Sequence, residues 1–217
     1  MVSFRAALED GADGVELDAR LTADNTVVVM HDDDVSRVTD GAGRISEMSF
    51  EQLRAVLVGG VEVVPTLAEV LSVVGGRVEV VVEIKGAFGG ARVVPGDEVA
   101  RAVVPLLSGV PDAVVSSFDP GAVAYVRAVA PAIHTAITIG GHAGLDETIE
   151  LALNAGHSEI HLPEARVEAR FVARAHDVGL LVLAYTVNEA GRARELREMG
   201  IDGIFSDDPR GVRSART

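Results

Sequence analysis

Residues 15–32 read VELDARLTADNTVVVMHD. Glu16 and Asp18 interrupt a first apolar run, and His31 closes a second one. Residues two apart on a strand share a face, so Glu16 and Asp18 point the same way. A parallel crossover needs a dozen or more residues. The second run follows too soon for that and must fold back as an antiparallel hairpin. Asp24-Asn25 suits a two-residue turn, because both residue types tolerate positive φ. This turn sets Ala23 opposite Thr26 and brings His31 opposite Asp18.

Outward from the hairpin, strand-like and helix-like segments alternate. Strands are expected at Gly14–Asp18, Val27–His31, Val78–Lys85, Ala113–Phe118, Ile133–Ile139, Glu159–Leu162, Leu180–Val187 and Gly203–Ser206. Helices are expected at Ser3–Asp10, Phe50–Leu57, Leu67–Val74, Glu98–Leu107, Gly121–Ala130, Asp146–Asn154, Glu164–Asp177 and Glu189–Met199. Thr66 with Glu69 reads as a capping box, Asp119-Pro120 as N-cap and first helical residue, and Asn188 as a further N-cap. Gly11, Gly156, Gly179 and Gly200 stand where helices end in the left-handed conformation. Residues 87–96 read as a flexible loop.

Alternation of this kind means a parallel α/β architecture. No glycine-rich dinucleotide fingerprint follows the first strand. Polar residues instead recur at strand C-termini: Glu16 and Asp18, Glu83 and Lys85, Ser116 and Ser117, Thr138, His161, Thr186, Ser206 and Asp207. A (β/α)8 barrel assembles its site in this way, from several strand ends on one face. With the hairpin strand set aside, seven parallel strands remain and the chain opens on a helix. The expected fold is a TIM barrel without its strand 1, with a hairpin-like insertion after strand 2. Residues 1–217 are read as a single, N-terminally incomplete domain. The gap leaves two unpaired edges, so the chain is expected to be unstable or oligomeric, or to fill the gap with its own tail.

The 217 residues are 48% hydrophobic but only 4% aromatic, so Val, Ala, Leu and Ile must build the core. Val-rich runs suit strands buried on both faces. A net charge of −14 argues against nucleic acid and against anionic membrane. It leaves room for a small phosphorylated substrate, because a bound cation reverses the local field. The absence of cysteine excludes disulfides, thiolate metal sites and a Cys nucleophile. No apolar run reaches the ~18 residues of a membrane-spanning helix. MVSFRAALEDG at residues 1–11 lacks the basic start and apolar stretch of a signal peptide. A cytoplasmic location is the expectation.

Glu83 and Lys85 share a strand face as Glu16 and Asp18 do. The hairpin therefore gathers three carboxylates, one lysine and one histidine. Carboxylates so close repel each other unless a cation sits among them. Oxygen-only donors suit Mg²⁺ or Ca²⁺. His31 beside them suits a general acid or base, and Lys85 an anion. Together they suit a phosphate ester. Asp32–Asp34 reads as a solvated turn. His161 stands at a strand end that can face the pocket, whereas His134, His142, His157 and His176 read as surface residues.

GADGVELDARLTADNTVVVMHDDDVSRVTDGAG (11–43), VPTLAEVL (64–71), VVEIK (81–85), SSFDP (116–120), AYTVN (184–188) and GIDGIFSDDP (200–209) together resemble the glycerophosphodiester phosphodiesterase family. The likeness runs from residue 1 to about 210 in the family's order. It implies a TIM barrel and a phosphoric diester hydrolase that splits glycerophosphodiesters into an alcohol and glycerol 3-phosphate. It implies Glu16, Asp18 and Glu83 as ligands of a divalent cation, Mg²⁺ or Ca²⁺, and His31 as one of two catalytic histidines. Lys85 corresponds to the lysine near the phosphate. Ser117, Phe118 and Tyr185 correspond to pocket-lining positions, the last commonly tryptophan. Asn25 replaces the usual turn glycine. The family's opening strand, ending HRG, and the following loop with PENT have no counterpart here, so impaired activity is expected. A lysophospholipase D-like enzyme and a non-catalytic cation-binding barrel are the alternatives. The implied partner is a small glycerophosphodiester, with homo-oligomers allowed.

Overall fold

The stretches Val80-Val81-Val82 and Ala113-Val114-Val115 are buried along their whole length, as strands covered on both faces must be. They lie at the centre of a curled sheet. The structure is a computed structural model and describes residues 1–141 and 144–213. Its strands in chain order are β1 (Gly14–Leu21), β2 (Val27–Val29), β3 (Leu57–Val58), β4 (Glu62–Val63), β5 (Glu79–Ile84), β6 (Ala113–Ser117), β7 (His134–Thr138), β8 (Glu159–Pro163), β9 (Leu181–Tyr185) and β10 (Gly203–Ile204). The helices are α1 (Val2–Glu9), α2 (Phe50–Arg54), α3 (Leu67–Val74), α4 (Gly96–Val103), α5 (Pro120–Val129), α6 (Leu145–Ala155), α7 (Ala169–Asp177), α8 (Ala190–Glu198) and α9 (Pro209–Arg213).

The main sheet runs β10-β9-β8-β7-β6-β5-β1-β2. Its strands are parallel except β2, which pairs antiparallel to β1. Outside the curl, Leu67, Val70 and Val74 of α3 and Val99, Ala100 and Val103 of α4 pack against Val80, Val82 and Ile84. Inside it, Val81, Val114 and Ala136 meet Phe205. A smaller core of Val28, Val35, Ile45, Leu53 and Val64 fills the insertion after β2. Among the described residues no helix is long and apolar enough to cross a membrane.

The hairpin forms, with its register one residue away from expectation. The pairs are Ala19–Val29, Arg20–Val28 and Leu21–Val27, so residues 22–26 form the loop. Thr22 is the reason. Its hydroxyl accepts from the Thr26 amide at 2.9 Å and donates to Asp24 at 2.5 Å. Asp24 in turn accepts from the Phe50 amide. These side-chain bonds stabilise a five-residue loop, with Asn25 in the left-handed region at φ 63°. In this register Met30 donates its amide to Asp18 O, and His31 lies beyond the paired residues.

Helix ends follow local chemistry. Thr66 and Glu69 form the capping box of α3, and Asp119 accepts from the Gly121 amide at the start of α5. Gly156 ends α6 at φ 72°. Asn188 is not a cap. Its carbonyl oxygen accepts from the Asp207 amide and its amide donates to Asp207 Oδ2, tying the β9 and β10 ends together. Residues 87–96 are not a free loop either. Ala87 and Val94 exchange backbone bonds, and the Arg92 guanidinium holds Thr22 O, Asn25 and Glu98. Gly96 already belongs to α4.

The sheet stays open. β10 pairs with β9, and β1 before Ala19 pairs with β5 alone among the described residues. A cleft of about 930 Å³ separates these two edges, lined by Phe4, Ala7, Val15, Gly203, Ile204 and Val212 among others. Part of the tail crosses one end of it. Arg210 ion-pairs with Asp10, and Arg213 donates to the carbonyls of Asp10 and Gly11.

Candidate active site

The C-terminal ends of the parallel strands converge on a pocket of about 190 Å³. Strand register brings its walls together. Asp18 stands beside Glu83, Glu83 beside Ser116, and Thr138 beside His161. Glu16, Asp18 and Glu83 each present an oxygen within 4.8 Å of the others. Lys85 Nζ lies 2.5 Å from Glu83 Oε1 and 3.2 Å from Asp18 Oδ1.

The charges are unbalanced. Desolvation, then Asp18 and Glu83, push the Glu16 carboxyl up to about 8, although the residue remains exposed along the open cleft. Burial also raises Glu83, against the pull of Lys85. For Lys85, burial works downward, but Glu83 and Asp18 outweigh it and leave its pKa raised. One ammonium facing three carboxylates leaves the cluster short of positive charge, which a divalent cation would supply. The donor set fits such an ion: every ligand is an oxygen, the pattern that suits Mg²⁺ or Ca²⁺.

His31 lines the same pocket, although its side chain is 62% exposed. Asp32 Oδ1 holds its Nδ1 at 2.6 Å. Arg37 and then His31 keep the Asp32 carboxyl down at about 2. The next two carboxylates of HDDD are structural. Asp33 bonds Ser46 and Arg44, and Asp34 accepts from the Ser36 amide. Arg20, on the same strand face as Glu16 and Asp18, is buried. It donates from Nε (2.9 Å) and Nη2 (2.6 Å) to His31 O and from Nη1 (3.0 Å) to Gly86 O. It thereby clamps the hairpin to the segment after β5. Its spacing of two from Asp18 is the sequence signal that places it on this face.

Phe118 and Tyr185 meet edge to face, centroids 6.2 Å apart, and Lys85 Nζ sits 5.6 Å from the Phe118 ring centre. Tyr185 donates to Ile139 O at 2.7 Å, and burial pushes its hydroxyl up to about 12. Ser117 does not line the pocket. Its hydroxyl donates to Ile84 O and accepts from the Asp119 amide, while Ser116 faces inward. His161 is buried in the pocket wall against Glu159. Thr186 and Phe205 complete the wall, and Phe205 is apolar, so no chemical pattern marked it beforehand. Of the remaining histidines, His134 is exposed and His176 bonds Asp202. His157 is buried against Thr135, contrary to the surface reading. His142 lies outside the described residues.

Known proteins share both sequence and shape with this chain. A family model described as the glycerophosphoryl diester phosphodiesterase family matches residues 1–210. A glycerophosphodiester phosphodiesterase of Caldanaerobacter subterraneus is 29% identical over 96% of this chain and 88% of its own length. A second, from Bacillus altitudinis, is 26% identical over the same shares. These relatives are phosphoric diester hydrolases. An Oleispira antarctica phosphodiesterase, solved with its product sn-glycerol-3-phosphate, superposes with a TM-score of 0.89 at 27% identity, covering 99% of this chain and 89% of that one.

Proposed function

The chain belongs to the glycerophosphoryl diester phosphodiesterase family, and from that premise we propose that it hydrolyses glycerophosphodiesters to an alcohol and sn-glycerol 3-phosphate. Glu16, Asp18 and Glu83 would hold a divalent cation as cofactor, which would supply Lewis-acid chemistry at the phosphoryl group. Lys85 adds positive charge for the phosphate anion. Water attacks phosphorus and the bond to the leaving oxygen breaks. His31, oriented by Asp32 and by the Arg20 clamp on its carbonyl, donates a proton to the departing alcohol as general acid. The attacking water loses its proton to solvent, and solvent reprotonates His31. Phe118 and Tyr185 offer an aromatic wall to the leaving group, and His161 a polar one to the substrate.

One observation carries this reading: three carboxylates within 4.8 Å of one another share a small pocket with Lys85 and His31. The test is release of glycerol 3-phosphate from glycerophosphocholine, glycerophosphoethanolamine and glycerophosphoglycerol, with Mg²⁺, with Ca²⁺ and with EDTA. Turnover that EDTA abolishes supports the reading. No turnover of any of the three diesters with either cation overturns it. A cation-binding barrel without turnover is the second reading. It draws support from Glu16, which borders the open cleft as well as the pocket. Calorimetric cation binding without hydrolysis would establish it.

A further inference from the structure

The pocket that holds the carboxylates is also lined by the polar side chains of Thr138 and His161. Thr138 is 5% exposed, and among the described residues its Oγ1 has no hydrogen-bond partner. Buried hydroxyls are rarely left so, because an unmade bond costs the full desolvation of the group. Beside it in register stands His161, itself 2% exposed. Glu159 holds His161 Nε2 at 3.0 Å, and the Phe205 ring meets the imidazole edge to face with centroids 4.9 Å apart. The ring is therefore fixed on two sides. Ser116 and Tyr185 line the same pocket.

This wall suits a neutral hydrogen-bonding group better than a phosphate, whose charge is met on the Lys85 side. We propose that Thr138, backed by the fixed ring of His161, is the subsite for a hydroxyl of the substrate's glycerol moiety. The assignment rests on the phosphodiesterase reading above and deepens it. The pocket selects phosphodiesters that carry a free hydroxyl on one arm, because an arm without it leaves Thr138 unpaired.

The experiment is calorimetric titration of the whole chain, with Mg²⁺ present, using sn-glycerol 3-phosphate and inorganic phosphate as probes. Thr138→Val replaces the hydroxyl with a methyl of similar size, and Thr138→Ser keeps it. Thr138→Val should weaken glycerol 3-phosphate binding about 3- to 10-fold, the worth of one neutral hydrogen bond, and leave phosphate binding unchanged. That unchanged binding also shows the variant is folded. Thr138→Ser should keep the wild-type preference. If Thr138→Val weakens both probes equally, or neither, the subsite is wrong and an ordered water is the partner of Thr138. If the wild-type chain binds neither probe, the phosphodiesterase reading falls and the subsite with it. That outcome is visible in wild type alone, so the two failures are distinct.

Discussion

At the scale of single residues, the site depends on two groups, His31 and Glu16. His31 is largely exposed and held through Asp32. Its replacement by alanine should lower kcat about 10²–10⁴-fold in a steady-state assay and leave calorimetric Mg²⁺ affinity unchanged, since the proposed ligands are Glu16, Asp18 and Glu83. Glu16 has a folded pKa raised to about 8 from 4.5. Between those values the cation-free folded chain binds more protons than the unfolded one, so this group's contribution to stability falls as pH rises. A cation bound by Glu16, as proposed, displaces that proton. Mg²⁺ affinity should therefore climb from pH 6 to pH 8 and level off above, and the thermal stabilisation by Mg²⁺ should climb with it. A flat profile across that range would contradict the raised pKa. Glu16, Asp18, Glu83 and Lys85 were legible in the sequence because period-two spacing needs only the strand to be right. Telling Ser116 from Ser117 needed the phase of β6 as well, which adjacent identical residues do not reveal. Arg20 was within reach, two residues past Asp18, but an arginine bound to backbone carbonyls carries no chemical signature.

At the scale of elements, the hairpin shows where sequence reasoning ends. Its existence followed from spacing, since no parallel crossover fits between the two runs. Its register did not, because Thr22 bonds within the loop and replaces a two-residue turn by a five-residue one. His31 consequently reaches the pocket from an unpaired stretch, and Arg20 supplies the restraint that strand pairing would have given. Arg20→Met keeps a long apolar stem without the three bonds. It should lower kcat by about 10-fold to 100-fold, the scale of a small misplacement of a reacting group, with Mg²⁺ affinity little changed. Activity equal to wild type would mean that the remaining contacts of the insertion hold His31 by themselves. The helix caps were the most legible elements, because Thr66 and Asp119 act through neighbours two or three residues away. Asn188 misled because its partner, Asp207, lies on the next strand end.

At the scale of the molecule, barrel class was readable from strand–helix alternation, and the open edge from a strand count of seven. Whether the tail fills the gap was not, since that depends on contacts between distant segments. The structure gives a divided answer, with α9 bridging one end and the cleft remaining beside β1. In the parallel pairing of β1 with β5, the Asp13 and Ala19 carbonyls face β5. By alternation, the Gly14 and Glu16 amides face the cleft. Hydrogen exchange should find these two amides far less protected than those of Val81 and Val82, whose strand is paired on both sides. Equal protection would mean that the cleft is closed in solution. The bridge made by Arg210 and Asp10 spans a sequence separation of 200, while successive parallel pairings join neighbours along the chain. Loop-closure entropy is lowest for neighbours and slow folding follows distant contacts. The pairings from β5 to β10 can therefore form early, and the Arg210–Asp10 contact forms late.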